Sequence, residues 1–355
     1  MILAYHLLAW VLIIMTLLPL VKNPHWVFRV PDFGKIQLFI MQVILLLVSP
    51  FLLPETLWTS MALLATALFN GITLYPYTPL FRTSTRPLTR QASRPLSIIS
   101  LNVYQDNRNY GKFLELVRGL KPDLVLTMES DSKWDKALSD LDKDYPYSVK
   151  VPLDNTYGMH LFSRLKLQKT ATHFYVADDL PSIETEVICP DGFIFKIFAL
   201  HPPPPSPTEE ETSKERDGDM LSVAKAIRKN KEMPTVAIGD FNCVAWAEAS
   251  RLFVKTSELI DPRIGRGFIS TFHARYRLLR FPIDQVYHSA NIFVKELKTL
   301  PDVESDHLPV LFSFVIDLHN DSQEELKEEA DAEDLQVVDE KIQEGKEEEG
   351  KRGNG

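Results

Sequence analysis

Three charge-free apolar runs fill most of residues 1–75, and this constrains the chain more than anything after it. Ile2–Val21, Ile36–Pro54 and Leu57–Tyr75 are rich in Leu, Ile and Val. Each has the length an α-helix needs to cross hydrocarbon, where backbone polar groups must be paired within the segment. No basic stretch precedes the first run and no small-x-small cleavage site follows it, so the pattern predicts a retained helix rather than a signal peptide. Lys22, Arg29 and Lys35 lie between the first two runs, and Arg82, Arg86, Arg90 and Arg94 follow the third. Only Glu55 stands between the second and third runs, with no base. Three spans put both basic segments on one face. The positive-inside rule makes that face cytoplasmic, together with everything C-terminal to it, in a multi-pass inner-membrane protein. A miscounted span would turn the C-terminal domain to the extracytoplasmic side.

Charge is equally uneven at the other end. The chain carries 39 Lys+Arg against 48 Asp+Glu, a net of -9. The whole deficit lies from His319 onward, so residues 1–318 are balanced. A broad basic field for long nucleic acid is absent. The acidic tail, 319–355, shows no periodic apolar pattern and is expected to be disordered. Cys189 and Cys243 are far apart with no CxxC spacing, which predicts two buried thiols rather than a disulfide or a zinc site.

Residues 76–95 form a linker rich in Pro, Thr and Arg. The spacing then predicts a single domain over 96–318. Strands are expected at Leu96–Val103, Leu124–Glu129, Tyr147–Val151, Met159–Phe162, Ile183–Ile188, Phe193–Leu200, Thr235–Asn242, Ile283–His288, Ile292–Leu297 and Leu308–Val315. Helices are expected at Tyr110–Leu120, Glu209–Asn230 and Ala245–Lys255. Pro190-Asp191-Gly192 marks a hairpin. Strands mixed with helices and hairpins predict an α/β (α+β) sandwich rather than a doubly wound parallel sheet.

Polar residues recur where these apolar strands stop. Asn102, Glu129 and His201 each close one. Asp240 and Asn242 close Thr235-Val236-Ala237-Ile238-Gly239; two apart on extended chain, they are expected on one side. Asp284 opens a strand, and Asp306-His307 precedes the last. Taken singly these are ordinary turn or cap residues. Six strand ends carrying an acid, an amide or an imidazole point instead to one polar edge.

With Ser100-Leu101-Asn102, Pro122-Asp123-Leu124-Val125 leading to Glu129, Gly158 through Ser163-Arg164, His201, Gly239-Asp240-Phe241-Asn242, Pro282-Ile283-Asp284 and Ser305-Asp306-His307 in this order, residues 96–315 resemble the endonuclease/exonuclease/phosphatase superfamily. That group includes DNase I-like nucleases, AP endonucleases, sphingomyelinases and inositol polyphosphate 5-phosphatases. The three N-terminal runs and the His201-Pro202-Pro203-Pro204-Pro205 segment make the chain similar to its membrane-anchored bacterial members. The resemblance implies a four-layered sandwich of two mixed β-sheets flanked by helices, and metal-dependent cleavage of phosphoesters. It implies Glu129 as metal ligand, Asn102 ligating or orienting through its amide oxygen, and Asp306 as a further ligand. Oxygen-only ligation suits Mg2+ or Mn2+. Asp240 would orient or deprotonate the attacking water, Asn242 would hold a phosphate oxygen, and His307 would bind or protonate the phosphoryl group. Asp284 would steady His307 and raise its pKa, and His201 would face the phosphate. Arg164 touches substrate or merely caps a strand. Met128 stands before Glu129 where many members have Gln, which removes an expected supporting hydrogen bond. The arginines 275, 277 and 280 read as a solvated face. A nucleic acid or a phospholipid head group is the expected substrate, the bilayer the other partner, and no obligate protein partner is implied. A sphingomyelinase-like lipid head-group phosphodiesterase and a catalytically inactive phosphate-binding scaffold are the competing readings.

Overall fold

The computed structural model describes residues 1–83 and 86–352. It has two compact units. The first comprises Met1–Thr83, Pro205–Ser213 and Ile264–Phe268. Its helices are α1 (Ile2–Leu17), α2 (Trp26–Phe33), α3 (Lys35–Val48) and α4 (Leu57–Leu74). With the short turns that extend them, Ile2–Leu20, Lys35–Leu52 and Leu57–Tyr77 are long and apolar enough to cross a membrane. Ala9, Leu12 and Leu63 meet inside, while Leu7, Trp10, Ile14, Ile44, Leu64 and Ile72 point outward. The interior also holds a polar knot. Gln42 Nε2 donates to Thr16 Oγ1 (2.9 Å) and Thr66 Oγ1 (3.2 Å), and Asn70 Nδ2 donates to Thr16 Oγ1 (3.1 Å) and Gln42 Oε1 (3.0 Å). In hydrocarbon, where apolar burial does not drive helices together, each such bond contributes about 0.6–2 kcal/mol to their association.

α2 is not legible as an apolar run. His25 caps it by accepting from the Val27 N–H, and the buried Asp32–Lys35 ion pair (2.8 Å) closes it onto α3. The segment before α7 (Lys214–Arg228) corrects the helix expected from Glu209. Its backbone is committed elsewhere: Trp26 N–H donates to Glu211 O (2.9 Å) and Ser213 N–H to Pro24 O (2.8 Å).

The second unit contains two mixed sheets. One has the order β10–β11–β1–β2–β4–β3 and the other β5–β6–β7–β8–β9. The strands are β1 (Leu96–Asn102), β2 (Leu124–Met128), β3 (Tyr147–Val151), β4 (Met159–Ser163), β5 (Lys166–Phe174), β6 (Pro181–Ile188), β7 (Ile194–Leu200), β8 (Thr235–Asp240), β9 (Asp284–His288), β10 (Ile292–Thr299) and β11 (Val310–Ile316). Side chains of one parity face the opposite sheet. Ile98 of β1, Leu126 and Met128 of β2, Ile197 and Ala199 of β7, and Val236 and Ile238 of β8 form the shared core. The other parity of the first sheet, with Ile99, Leu101 and Val125, packs on α5 (Tyr110–Leu120) and α6 (Ser132–Leu138). α8 (Glu248–Ser257) covers the second sheet, with Phe253 against Tyr287 of β9 at 5.1 Å. The four layers are therefore present.

Neither α6 nor β5 is visible as a strong apolar pattern. The first is a short helix held by Asp131, which accepts from the N–H groups of Lys133 and Trp134; the second is a polar edge strand with mixed exposure. The linker expected over 76–95 is also more tied than its composition implies, although Ser84 and Thr85 lie outside the described residues. Thr89 donates twice to Asp317 (both 2.7 Å), and Ser93 N–H donates to Ile316 O (2.7 Å).

The tail expected to be disordered contains a helix, α9 (Ala332–Arg352); residues 353–355 lie outside the description. Leu335, Val338, Ile342 and Gly345 recur at spacings of three and four, and Val338 and Gly345 are buried. Ion pairs Lys225–Asp339 and Lys255–Asp334 (2.8 Å) join it to α7 and α8. A helix that acidic forms because facing lysines neutralise it.

Gly239 has φ +154°, and a Cβ there would lie 2.0 Å from Leu200 O in β7. Gly239→Ala must therefore push β7 and β8 apart. We expect a loss of about 2–4 kcal/mol, read as a lowered unfolding temperature of the detergent-solubilised chain.

Candidate active site

Strand register decides which ends meet. β1 and β2 are parallel, with Asn102 beside Met128. β7 and β8 are parallel, with Leu200 beside Gly239, and β9 runs antiparallel with Asp284 opposite Asp240. β11 starts opposite Ser100, near the end of β1, just after His307. Asn102, Glu129, His201, Asp240, Asp284 and His307 thus share one edge. Asn102, Asp240, Asp284 and His201 also continue the inward parity of their strands, so their side chains aim into the gap between the sheets. Arg164 does not join them. It follows Ser163, which pairs with Leu124 at the start of β2, and so lies at the far end. Its guanidinium sits over the Tyr145 ring at 4.9 Å, and it has no place in the site.

At the centre is one amide nitrogen. Asn102 Nδ2 donates to Glu129 Oε1 (2.8 Å) and to Asp240 Oδ2 (3.1 Å), joining carboxylates from the two sheets. Its oxygen accepts from the Tyr104 N–H (3.0 Å). Asn102 therefore presents nitrogen, not the oxygen a metal would need, and its geometry is that of an orienting group. Glu129 leaves β2 with φ +59°, which turns its side chain back to this edge. Its Oε2 accepts from the Gln105 N–H (2.9 Å). Met128 does not leave the sheets unbridged: its thioether accepts from the Asp240 N–H at 3.1 Å.

The second row runs through His307. Its Nδ1 meets Asp284 Oδ2 at 2.7 Å and its Nε2 lies 3.6 Å from Asp240 Oδ2. Ser305 sets the approach, donating through Oγ to Asn102 O (2.7 Å) and accepting from the His307 N–H (3.1 Å). Phe272 covers the imidazole at 4.8 Å. His201 Nε2 is 3.8 Å from Asp240 Oδ2. Its Nδ1 and Asp284 Oδ1 are buried without a hydrogen-bond partner. Asp306 is half-buried beside these groups. Asn242 departs from its expected geometry. Its backbone is left-handed (φ +46°), so it does not extend β8. Its N–H donates to Asp240 Oδ1 (2.9 Å) and its Nδ2 to Pro202 O (3.0 Å), so one amide hydrogen fastens the His201 loop.

Burial acts differently on Glu129, His201 and His307. Removal from water pushes the Glu129 carboxyl up to about 7, against the Gln105 and Asn102 donors that stabilise its charge. Burial holds His201 down to about 4. Burial would also lower His307, but the Asp284 and Asp240 carboxylates override it and raise the imidazole to about 10. Near neutrality His307 is an imidazolium and His201 is neutral. Asp240, Asp284 and His307 each bring a ligating atom within 4.8 Å of one another, close enough to hold a metal ion.

Sequence reasoning did not find Gln105, Tyr104 or Arg216. The first two act through backbone N–H groups, which leave no mark in side-chain chemistry. Arg216 donates from Nη1 to Asn242 O (3.1 Å), and only its burial in a charged helix distinguishes it.

Residues 99–307 match the model of the Endonuclease/Exonuclease/phosphatase family. No curated protein matches the chain. Among solved structures, the human Nocturnin catalytic domain with bound sulfate is 19% identical, covering 64% of this chain and 99% of that one at a TM-score of 0.52. An endonuclease/exonuclease/phosphatase family protein from Bacteroides thetaiotaomicron is 20% identical with the same two coverages and TM-score 0.52. D. rerio TDP2 complexed with a single-strand DNA product is 16% identical, covering 62% and 99% at 0.53. At these identities the likeness is one of fold.

The two histidines give opposite pH signatures. His307, raised in the fold, contributes stability that is complete below its unfolded value of 6.5 and is lost as pH rises through about 10. His201, lowered in the fold, contributes stability above 6.5 that is lost as pH falls through about 4. In Asp284→Asn we expect the His307 imidazole, followed by isotope-edited NMR, to lose its proton well below pH 10. The stability gap to wild type is expected to be widest in acid and to close at high pH.

Proposed function

The chain belongs to the endonuclease/exonuclease/phosphatase family, whose members are hydrolases of phosphoester bonds, and on that premise we propose a membrane-anchored, metal-dependent phosphodiesterase or nuclease. The observation that carries the reading is the Asn102 amide holding Glu129 and Asp240 together, with the Asp284–His307 pair directly behind Asp240. Phosphoester cleavage needs a base or orienting acid for water and a donor for the developing oxyanion. Asp240 takes the first role and His307, kept protonated by Asp284, the second. Neutral His201 and the remaining Asn242 amide hydrogen complete the phosphate contacts.

The donor set fits a hard divalent cation. Glu129 is a carboxyl that burial drives toward neutrality, and Asp306 is a second carboxylate beside it. A cation there would restore the ionised form. His307 is a poor ligand, because an imidazolium has no free lone pair on either nitrogen. We therefore assign Glu129 and Asp306, not the Asp240–Asp284–His307 row, as ligands for Mg2+ or Mn2+. Bound there, the ion would supply charge neutralisation at the phosphate and polarise water.

A lipid head-group phosphodiesterase is the second reading, favoured by one surface feature. The segment after Phe272, whose ring covers His307, exposes Tyr276, Leu278 (86%) and Leu279 among Arg275, Arg277 and Arg280. Ala274 N–H ties it to Asp306 O (2.6 Å). The third reading, an inactive scaffold, has no feature of this edge in its favour.

We place the anchor in the inner membrane with the hydrolase cytoplasmic. Lys22, Arg29 and Lys35 in the first loop and the four arginines after the third span carry that assignment, because the rule counts bases and acids weigh little in it. Alkaline phosphatase fused after Tyr77 should be inactive in cells and a fluorescent protein fused there should glow; the reverse pattern moves the domain outside.

For activity, the detergent-solubilised chain would be given Mg2+ or Mn2+ and offered bis-p-nitrophenyl phosphate, single-stranded DNA and sphingomyelin. We expect turnover of at least one, reduced about 10²–10⁴-fold in Asp240→Ala and His307→Ala. Leu278→Asp should depress only the lipid reaction. Wild-type protein inert on all three would favour the scaffold.

A further inference from the structure

A buried chain of charge leads from the C-terminal helix to the catalytic loop. Arg216, at the start of α7 and 3% exposed, donates from Nη1 to the Asn242 carbonyl (3.1 Å). Its Nε and Nη2 both donate to Asp217 Oδ1 (3.0 and 2.7 Å). The other carboxylate oxygen, Asp217 Oδ2, accepts from Lys341 Nζ of α9 at 3.1 Å. Lys341 also lies 3.6 Å from Glu248, in the first turn of α8. One ammonium thus reaches the first turns of α7 and of α8, the helix that directly follows the loop Phe241–Ala247. That loop carries Asn242, which in turn holds Pro202 beside His201. The crossing is close as well. A Cβ on Gly345 would stand 2.8 Å from Lys214 O and 3.3 Å from Gly218 Cα, so small residues let α9 sit directly on α7.

A guanidinium shared between a carboxylate and a carbonyl is oriented only while both partners are fixed. Arg216 holds one oxygen of Asp217 and Lys341 the other, so Lys341 shares in fixing the carboxylate that Arg216 grips. The family match ends at residue 307, and α9 lies beyond it. We infer that α9 is a positioning element for the catalytic loop, acting through Lys341, Asp217 and Arg216 on the Asn242 carbonyl. Lys341 is a positioning residue and touches no substrate. The acidic residues of α9 serve to dock it, through Asp334 and Asp339 on Lys255 and Lys225.

The test uses the full chain in detergent and two readouts. One is amide hydrogen exchange over Phe241–Ala247, which needs no activity. The other is kcat and KM on bis-p-nitrophenyl phosphate, which rests on the proposed function. In Lys341→Met, Asp217 keeps its Arg216 partner, so the sandwich should fold with unchanged helical content. We expect faster exchange in the loop and a kcat lowered about tenfold or more at nearly constant KM, as small misplacements cost. Lys341→Arg should restore both. Gly345→Leu, which blocks the crossing, should reproduce the Lys341→Met pattern. Lys225→Met, at the same interface but off the relay, should change neither. Unchanged loop exchange in Lys341→Met, or an equal effect from Lys225→Met, overturns the inference. A wild-type chain without turnover would count against the phosphodiesterase reading alone, and the exchange arm would still decide this one.

Discussion

The structure depends on two sheets meeting across an apolar interior while their polar ends are held together, and the Asn102 amide does the holding. It bonds Glu129 from the first sheet and Asp240 from the second. Asp240 is buried and Glu129 half-buried; two such carboxylates repel each other, and one withdrawn from water without donors is costly. The amide supplies a neutral bridge, the Gln105 and Asn242 N–H groups supply further donors, and the thioether of Met128 takes the Asp240 N–H. The gap between the sheets can therefore end in acids without coming apart.

Withdrawal from water has unequal results along this edge. Glu129 has only neutral donors, and its carboxyl rises toward neutrality. His307 has two carboxylates, one on each side, and stays charged. His201 shares one of those carboxylates at greater distance and stays neutral. Groups pushed in different directions within one cleft are what acid, base and ligand roles require. The same arithmetic separates the Glu129 carboxyl, drawn toward neutrality, from the His307 imidazole, which keeps its charge.

Much of this was legible because strands count in twos. Ile98 and Ile238 face the core, so Asn102 and Asp240, an even number of residues on, face it too; sheet register then brings their ends together. Fold and family followed from those strand ends. Other features were hidden for physical reasons. Asn102 shows its nitrogen because Tyr104 N–H takes its oxygen, a backbone contact that no motif announces. Asn242 looks like the next extended residue but turns left-handed. Arg164 ends a strand that runs the other way, which only pairing reveals. The acidic tail has the composition of a solvated segment, yet its charges meet lysines of α7 and α8, and the spacing of Leu335, Val338, Ile342 and Gly345 is sparse among so many carboxylates.

The inward parity has a consequence for how such a chain can change over time. Substitution at a core position alters volume and leaves direction intact. Inserting or deleting one residue within β1, β7 or β8 would turn Asn102, His201 or Asp240 to the outer face, as a slip of one always does in a strand. Strand lengths in this domain are therefore fixed by the parity at their ends, whereas a change of length in a connecting segment leaves that parity intact.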